Sequence, residues 1–220
     1  MVKLQLSQPT IFVLYGFPGS GKTFFARQLC EELQAAHVQG DRVRYELFDR
    51  PRYDKQENEI VRHIMDYMTE EFIQAGMSVV YDINAMRASQ RKTLRDLTIK
   101  NKAKSVLIWF QMDIDSAYER VSGRDRRKAD DKYTTQLDRE QFDAVTREMQ
   151  NPTNTESYMV ISGKRTFHTQ RSAIIKKLYD MGLLQAEQTI TGLAKPNLVN
   201  LIPNSSGGRV DPSRRNITIR

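Results

Sequence analysis

The sequence predicts a three-layer α/β fold, with a mostly parallel five-stranded sheet, helices on both faces and a C-terminal extension. Three observations predict it. Short β-branched or aromatic runs alternate along the chain with stretches of helical periodicity. The first run passes through a glycine-rich turn directly into a helix. The strand–helix alternation then repeats five times, which calls for parallel crossovers that cover both faces of one sheet.

The first strand is the apolar run from residue 10 to 15, continuous enough to be buried on both sides. Residues 22 to 36 form a helix, with Phe25, Leu29 and Leu33 four residues apart. A short second strand is expected at residues 37 to 39. Residues 43 to 68 are expected to be helical apart from a break near Pro51. Residues 77 to 81 form the third strand, ended by Asp82. A helix over 90–101, a strand over 105–110 and a helix over 114–127 follow. The last strand covers 158–162 and the last helix 170–181. One domain is expected over residues 1–183, with an extension or partner-docking tail over 184–220, where Gly, Pro, Asn and Ser interrupt the periodicity.

Composition narrows the class. The chain has 220 residues, 39% hydrophobic and 28% charged, enough for a substantial core. No window nears the roughly 20 apolar residues of a membrane span, and the N-terminus lacks the apolar segment of a secretory signal. A cytoplasmic location without membrane contact is therefore expected. Cys30 is the single cysteine and is read as a small packing residue. The net charge of +7 would attract polyanions, from a nucleotide to a nucleic acid. Six Lys/Arg against three Asp fall between Arg120 and Lys132, and five basic against two acidic residues fall in the tail.

Gly16-Phe-Pro-Gly-Ser-Gly21-Lys22-Thr23 satisfies G-x-x-x-x-G-K-[ST] and lies between a strand and a helix, where that motif works. Its glycines let backbone N–H groups wrap a phosphate, and the helix dipole adds positive potential. Lys22 is expected to reach the β- and γ-phosphates of ATP, and the Thr23 hydroxyl to coordinate Mg²⁺. Gly16, Gly19, Ser20, Gly21, Lys22, Thr23 and Phe24 are thus the expected nucleotide contacts.

Asp41 and Arg44 are three residues apart on a helix and can point into one cleft. Asp82 closes a central strand, where doubly wound sheets place their ligands, and can hold Mg²⁺ through water or meet an acceptor. Arg120, Arg124 and Arg127 share one helical face and suit bidentate phosphate contacts.

Together, Asp41-Arg-Val-Arg44, Asp82-Ile-Asn84 and Arg120-x-x-x-Arg124, in this order after the glycine loop, resemble the bacteriophage-type polynucleotide 5′-hydroxyl kinases. The broader group includes zeta toxins and small-molecule phosphotransferases. The resemblance covers residues 10 to 183 and implies a P-loop NTPase fold with kinase activity. It implies that Asp41 takes the proton of the acceptor hydroxyl and that Arg44 orients the phosphoryl groups. It further implies that Arg124 meets the transition state with Arg120 in support, and that Asn84, Arg87 and Arg91 bind the acceptor or its phosphate. The turn Gly163-Lys-Arg-Thr matches the place where such kinases pack adenine.

The first-choice acceptor is a nucleic-acid 5′-hydroxyl; a small metabolite, a nucleotide sugar or an antibiotic are alternatives. A regulatory NTPase without an acceptor is the rival from another class. Tyr45, Phe48 and Tyr53 among arginines are either base-stacking residues or ordinary packing residues. His37, His63 and His168 lack metal-ligand spacing and receive no role.

Overall fold

The computed structural model describes residues 4–84, 86–125, 132–134 and 136–184. The tail expectation, for residues 184–220, lies outside the described residues except for Leu184, which is buried in the core with Leu183, and Arg127 lies outside them too.

Five strands form one parallel sheet in the order β2-β3-β1-β4-β5, where β1 is Thr10–Gly16, β2 Ala36–Gln39, β3 Val79–Asp82, β4 Lys104–Gln111 and β5 Tyr158–Ser162. The sequence order predicts this architecture. β1 is central and buried at every residue, which explains its unbroken apolar run. Its side chains alternate between two cores. Phe12 and Leu14 pack with Phe25 and Leu29 of α1 (Lys22–Leu33) and with Ile174 and Leu178 of α7 (Phe167–Asp180). Ile11, Val13 and Tyr15 pack on the other face. There they meet Val61 and Met65 of α3 (Lys55–Gln74) and Leu94 of α4 (Ala88–Lys100). A third, small cluster joins α5 (Ile114–Ser122) to α6 (Arg139–Arg147) through Ala117, Val121 and Phe142.

Several boundaries differ from expectation, each for a local reason. α1 stops at Leu33 because Gln34 turns left-handed at φ 51° and β2 begins at Ala36. The helical stretch expected over 43–68 breaks near Pro51 as expected but is longer at both ends, as α2 (Gly40–Leu47) and α3, and the Asp54 side chain caps α3 by accepting from the Glu57 N–H. α5 ends at Ser122 with Gly123 beyond it, so Arg124 does not continue the helical row begun by Arg120. α6 was not expected. Its signal is the Asp138–Gln141 capping box, which the neighbouring charge run obscured.

Two arginines expected at the acceptor are instead part of this framework. Arg91 is buried and grips Glu156 with two hydrogen bonds, of 2.7 and 2.8 Å, while Nη1 donates to the Gln150 carbonyl. The Tyr15 ring lies 5.2 Å below its guanidinium. Arg44 is also buried, donating to Glu57 Oε2 at 3.1 Å and to Asn58 on α3, with the guanidinium stacked over Tyr53. Glu57 further accepts the backbone N–H groups of Arg52 and Tyr53, so this network moulds the α2–α3 turn.

Removing one partner of a buried ion pair strands the other. Arg91→Met is expected to destabilise the fold by about 3–5 kcal/mol, read from urea unfolding. Arg91 pulls the Glu156 carboxyl below its ordinary value, so the pair stabilises at neutral pH and is lost as pH falls through that lowered value. In Arg91→Met this acid-side loss is expected to shrink.

Candidate active site

Every strand of a parallel sheet delivers its C-terminal end to the same edge, and the candidate residues gather there. β1 ends in Gly16 and opens into the P-loop, which runs into the N-terminus of α1. Gly19 has φ +83°, and a Cβ on it would strike the Ala117 carbonyl of α5, so α5 seats directly on the loop. A Cβ on Gly163 would come within 2.6 Å of the Ser20 carbonyl, which shows how closely the turn after β5 abuts the loop from another side. Arg120 Nη1 donates to the Gly163 carbonyl at 2.9 Å, clasping α5 to this turn. Ser20 is buried, Gly21 caps α1 in a left-handed conformation, and Phe24 is exposed.

Lys22 folds back over the loop. Its Nζ donates to the Gly16 and Phe17 carbonyls, each at 2.8 Å. Burial pushes its pKa down to about 7; the Asp82 carboxylate opposes that shift and Arg124 reinforces it. Thr23 Oγ1 donates to Asp82 Oδ1 at 3.3 Å, and His37 Nε2 lies 2.9 Å from Asp82 Oδ2.

Asp41, in the first turn of α2, faces the same cluster. Burial raises its carboxyl to about 6, with Asp82 adding to the rise and Arg124, Arg44 and Lys22 opposing it. Lys22, Asp41, Asp82 and Arg124 therefore share one electrostatic field, to which Arg44 adds a further positive charge at Asp41. A cation held by one hydroxyl, one carboxylate and the nucleotide's own phosphates is the usual Mg²⁺ arrangement in phosphoryl transfer. Thr23 and Asp82, hard oxygen donors beside the P-loop, fit such an ion. Among the described residues no three His, Cys, Asp or Glu side chains group as a metal site by themselves.

The remaining expected residues have other partners. Arg44 and Arg91, expected to orient phosphoryl groups and to bind the acceptor, are held by framework partners, Arg44 by Glu57 and Asn58 and Arg91 by Glu156 and Gln150. Asn84 Oδ1 accepts from the Gly16 N–H at 3.3 Å and braces the start of the P-loop. Arg87 is exposed and pairs with Glu148 at 2.7 Å. The Arg124 carbonyl accepts from Gln136 Nε2, which fixes its backbone just past α5. Tyr53 lies under Arg44, Phe48 packs in the second core and Tyr45 meets Tyr133, so all three aromatics have intramolecular partners. Burial pushes the Cys30 thiol up to about 12, in keeping with a packing role.

His37 is the residue sequence reasoning passed over. Its signal is the register of β2 on β3, which pairs Gln39 with Asp82 and His37 with Val80. A cavity of about 540 Å³ borders the start of the P-loop and the turn after β5, lined by Tyr15, Gly16, Phe17, Trp109, Met149 and Lys164, and none of Lys22, Thr23, Asp41 and Asp82 lines it. Among the described residues no helix is long and apolar enough to cross a membrane.

Solved structures share this fold. A kinase structure from Chloroflexus aurantiacus aligns with a TM-score of 0.63 at 14% identity, over 79% of this chain and 98% of its own. Kti12 of Chaetomium thermophilum, solved with ADP-AlF3, aligns with a TM-score of 0.61 at 16% identity, over 78% and 98%. A chain of the Pnkp1/Rnl/Hen1 RNA repair complex aligns with a TM-score of 0.54 at 16% identity, over 64% of this chain and 44% of that one. At these identities the likeness is one of fold. No curated protein matches the sequence. The profile of the AAA_33 family, described as an AAA domain, matches residues 11–152. The chain therefore belongs to the AAA_33 family and carries the P-loop kinase fold.

Proposed function

We propose that the protein is an ATP-dependent phosphotransferase that moves the γ-phosphate onto an acceptor hydroxyl, with a nucleic-acid 5′ end as the acceptor. One observation carries the reading: Asp41, a half-buried carboxyl in the same field as Lys22, Asp82 and Arg124. An NTPase that only switches between nucleotide states has no need of a second carboxylate of raised pKa there. A kinase needs one, to receive the hydroxyl proton as the oxygen attacks phosphorus.

The chain's own residues divide the work. Lys22 leaves the Gly16 and Phe17 carbonyls for the β- and γ-phosphates, and the loop N–H groups hold the phosphate oxygens. Arg124 faces the charge that develops during transfer, and Arg120 keeps α5 against the turn after β5. Mg²⁺, held through Thr23 and Asp82, would supply neutralisation of phosphate charge.

The basic charge and the fold shared with a chain of an RNA repair complex support the nucleic-acid acceptor. A small metabolite is the second reading. The observation that favours it is the diversion of Arg44 and Arg91 into the framework, which leaves fewer cations for a polyanion.

Transfer of labelled γ-phosphate to 5′-hydroxyl DNA and RNA oligonucleotides, nucleosides, nucleotide sugars and aminoglycosides separates the cases. Label on an oligonucleotide 5′ end is the expected result, label on a small molecule establishes the second reading, and label only as free phosphate rejects both.

With whichever acceptor is labelled, kcat/KM is expected to depend on the ionised form of Asp41 in the free protein. The rate then falls about tenfold per pH unit below about 6 and levels above it. A profile flat down to pH 5 would remove Asp41 from the role of base.

A further inference from the structure

We propose that His37 is a positioning residue that orients the Asp82 carboxylate and thereby sets the Mg²⁺ affinity of the nucleotide complex. The inference rests on the reading of Thr23 and Asp82 as the Mg²⁺ site.

Asp82 is the last residue of β3, and its side chain is 4% exposed, so few groups can reach it. Two do. Thr23 Oγ1 stands 3.3 Å from Oδ1, and His37 Nε2 stands 2.9 Å from Oδ2. The two carboxylate oxygens therefore have different partners, one from the P-loop helix and one from the neighbouring strand.

A carboxylate oxygen can only accept, so Nε2 carries the hydrogen and donates it. Left with the threonine alone, the carboxylate would be free to turn about its terminal torsion, which is broad and roughly two-fold. The bond from His37 removes that freedom. It presents Oδ1 to Thr23 and to a cation beside it, and occupies the lone pairs of Oδ2 that would otherwise compete.

The placement follows from the fold. β2 and β3 are parallel with Gln39 opposite Asp82, and His37 lies two residues back on the same face as Gln39. From there the imidazole reaches forward to the strand end, while its side chain stays 23% exposed. Partners of this kind, which hold a metal-ligating group without touching the metal, typically account for about 10–100-fold in metal affinity.

The test is Mg²⁺ titration of the full chain bound to N-methylanthraniloyl-ADP, read by fluorescence, with no turnover required. His37→Ala is expected to raise the Mg²⁺ concentration at half-saturation by about 10-fold or more, with nucleotide affinity in EDTA unchanged. His37→Gln places an amide N–H near the position of Nε2, and is expected to recover most of the loss. Asp82→Asn is the control and is expected to lose the Mg²⁺ response.

If Asp82→Asn loses the response but His37→Ala titrates like the parent, the positioning role is overturned. It is equally overturned if His37→Gln is as defective as His37→Ala, because a packing role depends on bulk and not on the donor. If Asp82→Asn keeps the full response, the Mg²⁺ site itself is overturned, and that result is distinct from the other two.

Discussion

Asp41→Asn is expected to lower phosphoryl transfer by about 10²–10⁴-fold while leaving ATP binding in place, because the amide keeps the shape of the carboxyl but cannot accept the acceptor's proton. The same substitution is expected to make the fold more stable. Asp41 has its ordinary carboxyl pKa in the unfolded chain and about 6 in the fold, where burial and Asp82 disfavour its charge. The folded state therefore binds more protons between those values, and stability falls as pH rises from about 4 to 6. Above pH 6 the cost is fully present, up to about 3 kcal/mol, and the uncharged amide does not incur it. Turnover with γ-labelled ATP and urea unfolding at pH 7.5 check the two halves. A slower and more stable variant marks a strained catalytic carboxylate. A variant that is slower and less stable would show that Asp41 holds the cleft together instead.

Lys22→Met is expected to reduce turnover by about 10²–10³-fold or more, since it removes a donor aimed at the transferring phosphate. A calorimetric signature accompanies it. In the free protein Lys22 has a pKa of about 7, so at pH 8 most molecules carry a neutral amine hydrogen-bonded to the Gly16 and Phe17 carbonyls. The triphosphate raises that pKa by placing negative charge beside the amine. ATP binding at pH 8 should then take up a proton, and the uptake should shrink as pH falls towards 6. Binding enthalpies measured in two buffers of different ionisation heat give the uptake directly. Lys22→Met should show none; equal uptake in both proteins would assign the proton to another group.

The sheet was legible in the sequence because its central strand leaves no ambiguity. A seven-residue run buried at every position, followed by glycines and a helix, admits one arrangement. The ends of helices were less legible. α5 was extended to 127 because its arginines kept helical spacing, but Gly123 ends the helix and periodicity carries no information about where a turn stops. α6 was hidden in a charged stretch, although Asp138 and Gln141 form a recognisable cap.

At the sheet edge, the glycine loop, Asp41 and Asp82 lie close together, as motif and strand position suggested. The framework partners of Arg44 and Arg91 were not legible, for a physical reason. Spacing places an arginine on a helix face, but its long side chain can serve a partner far along the chain, such as Glu156, which lies 65 residues from Arg91. His37 was passed over because its partner belongs to another strand, and only the pairing of β2 with β3 brings them together.

The embedded Arg91–Glu156 clamp bears on how this scaffold can evolve. Arg91 follows the third strand, near the sheet edge where the candidate residues gather, and altering it removes the tie between α4 and the segment leading into β5. Arg87, only four residues earlier, is exposed, and its pairing with Glu148 contributes about 0–1 kcal/mol. Selection can vary Arg87 almost freely and Arg91 hardly at all. Relatives of this chain should therefore differ at the first position more readily than at the second, and libraries that vary this segment are best randomised around Arg87 with the clamp left intact.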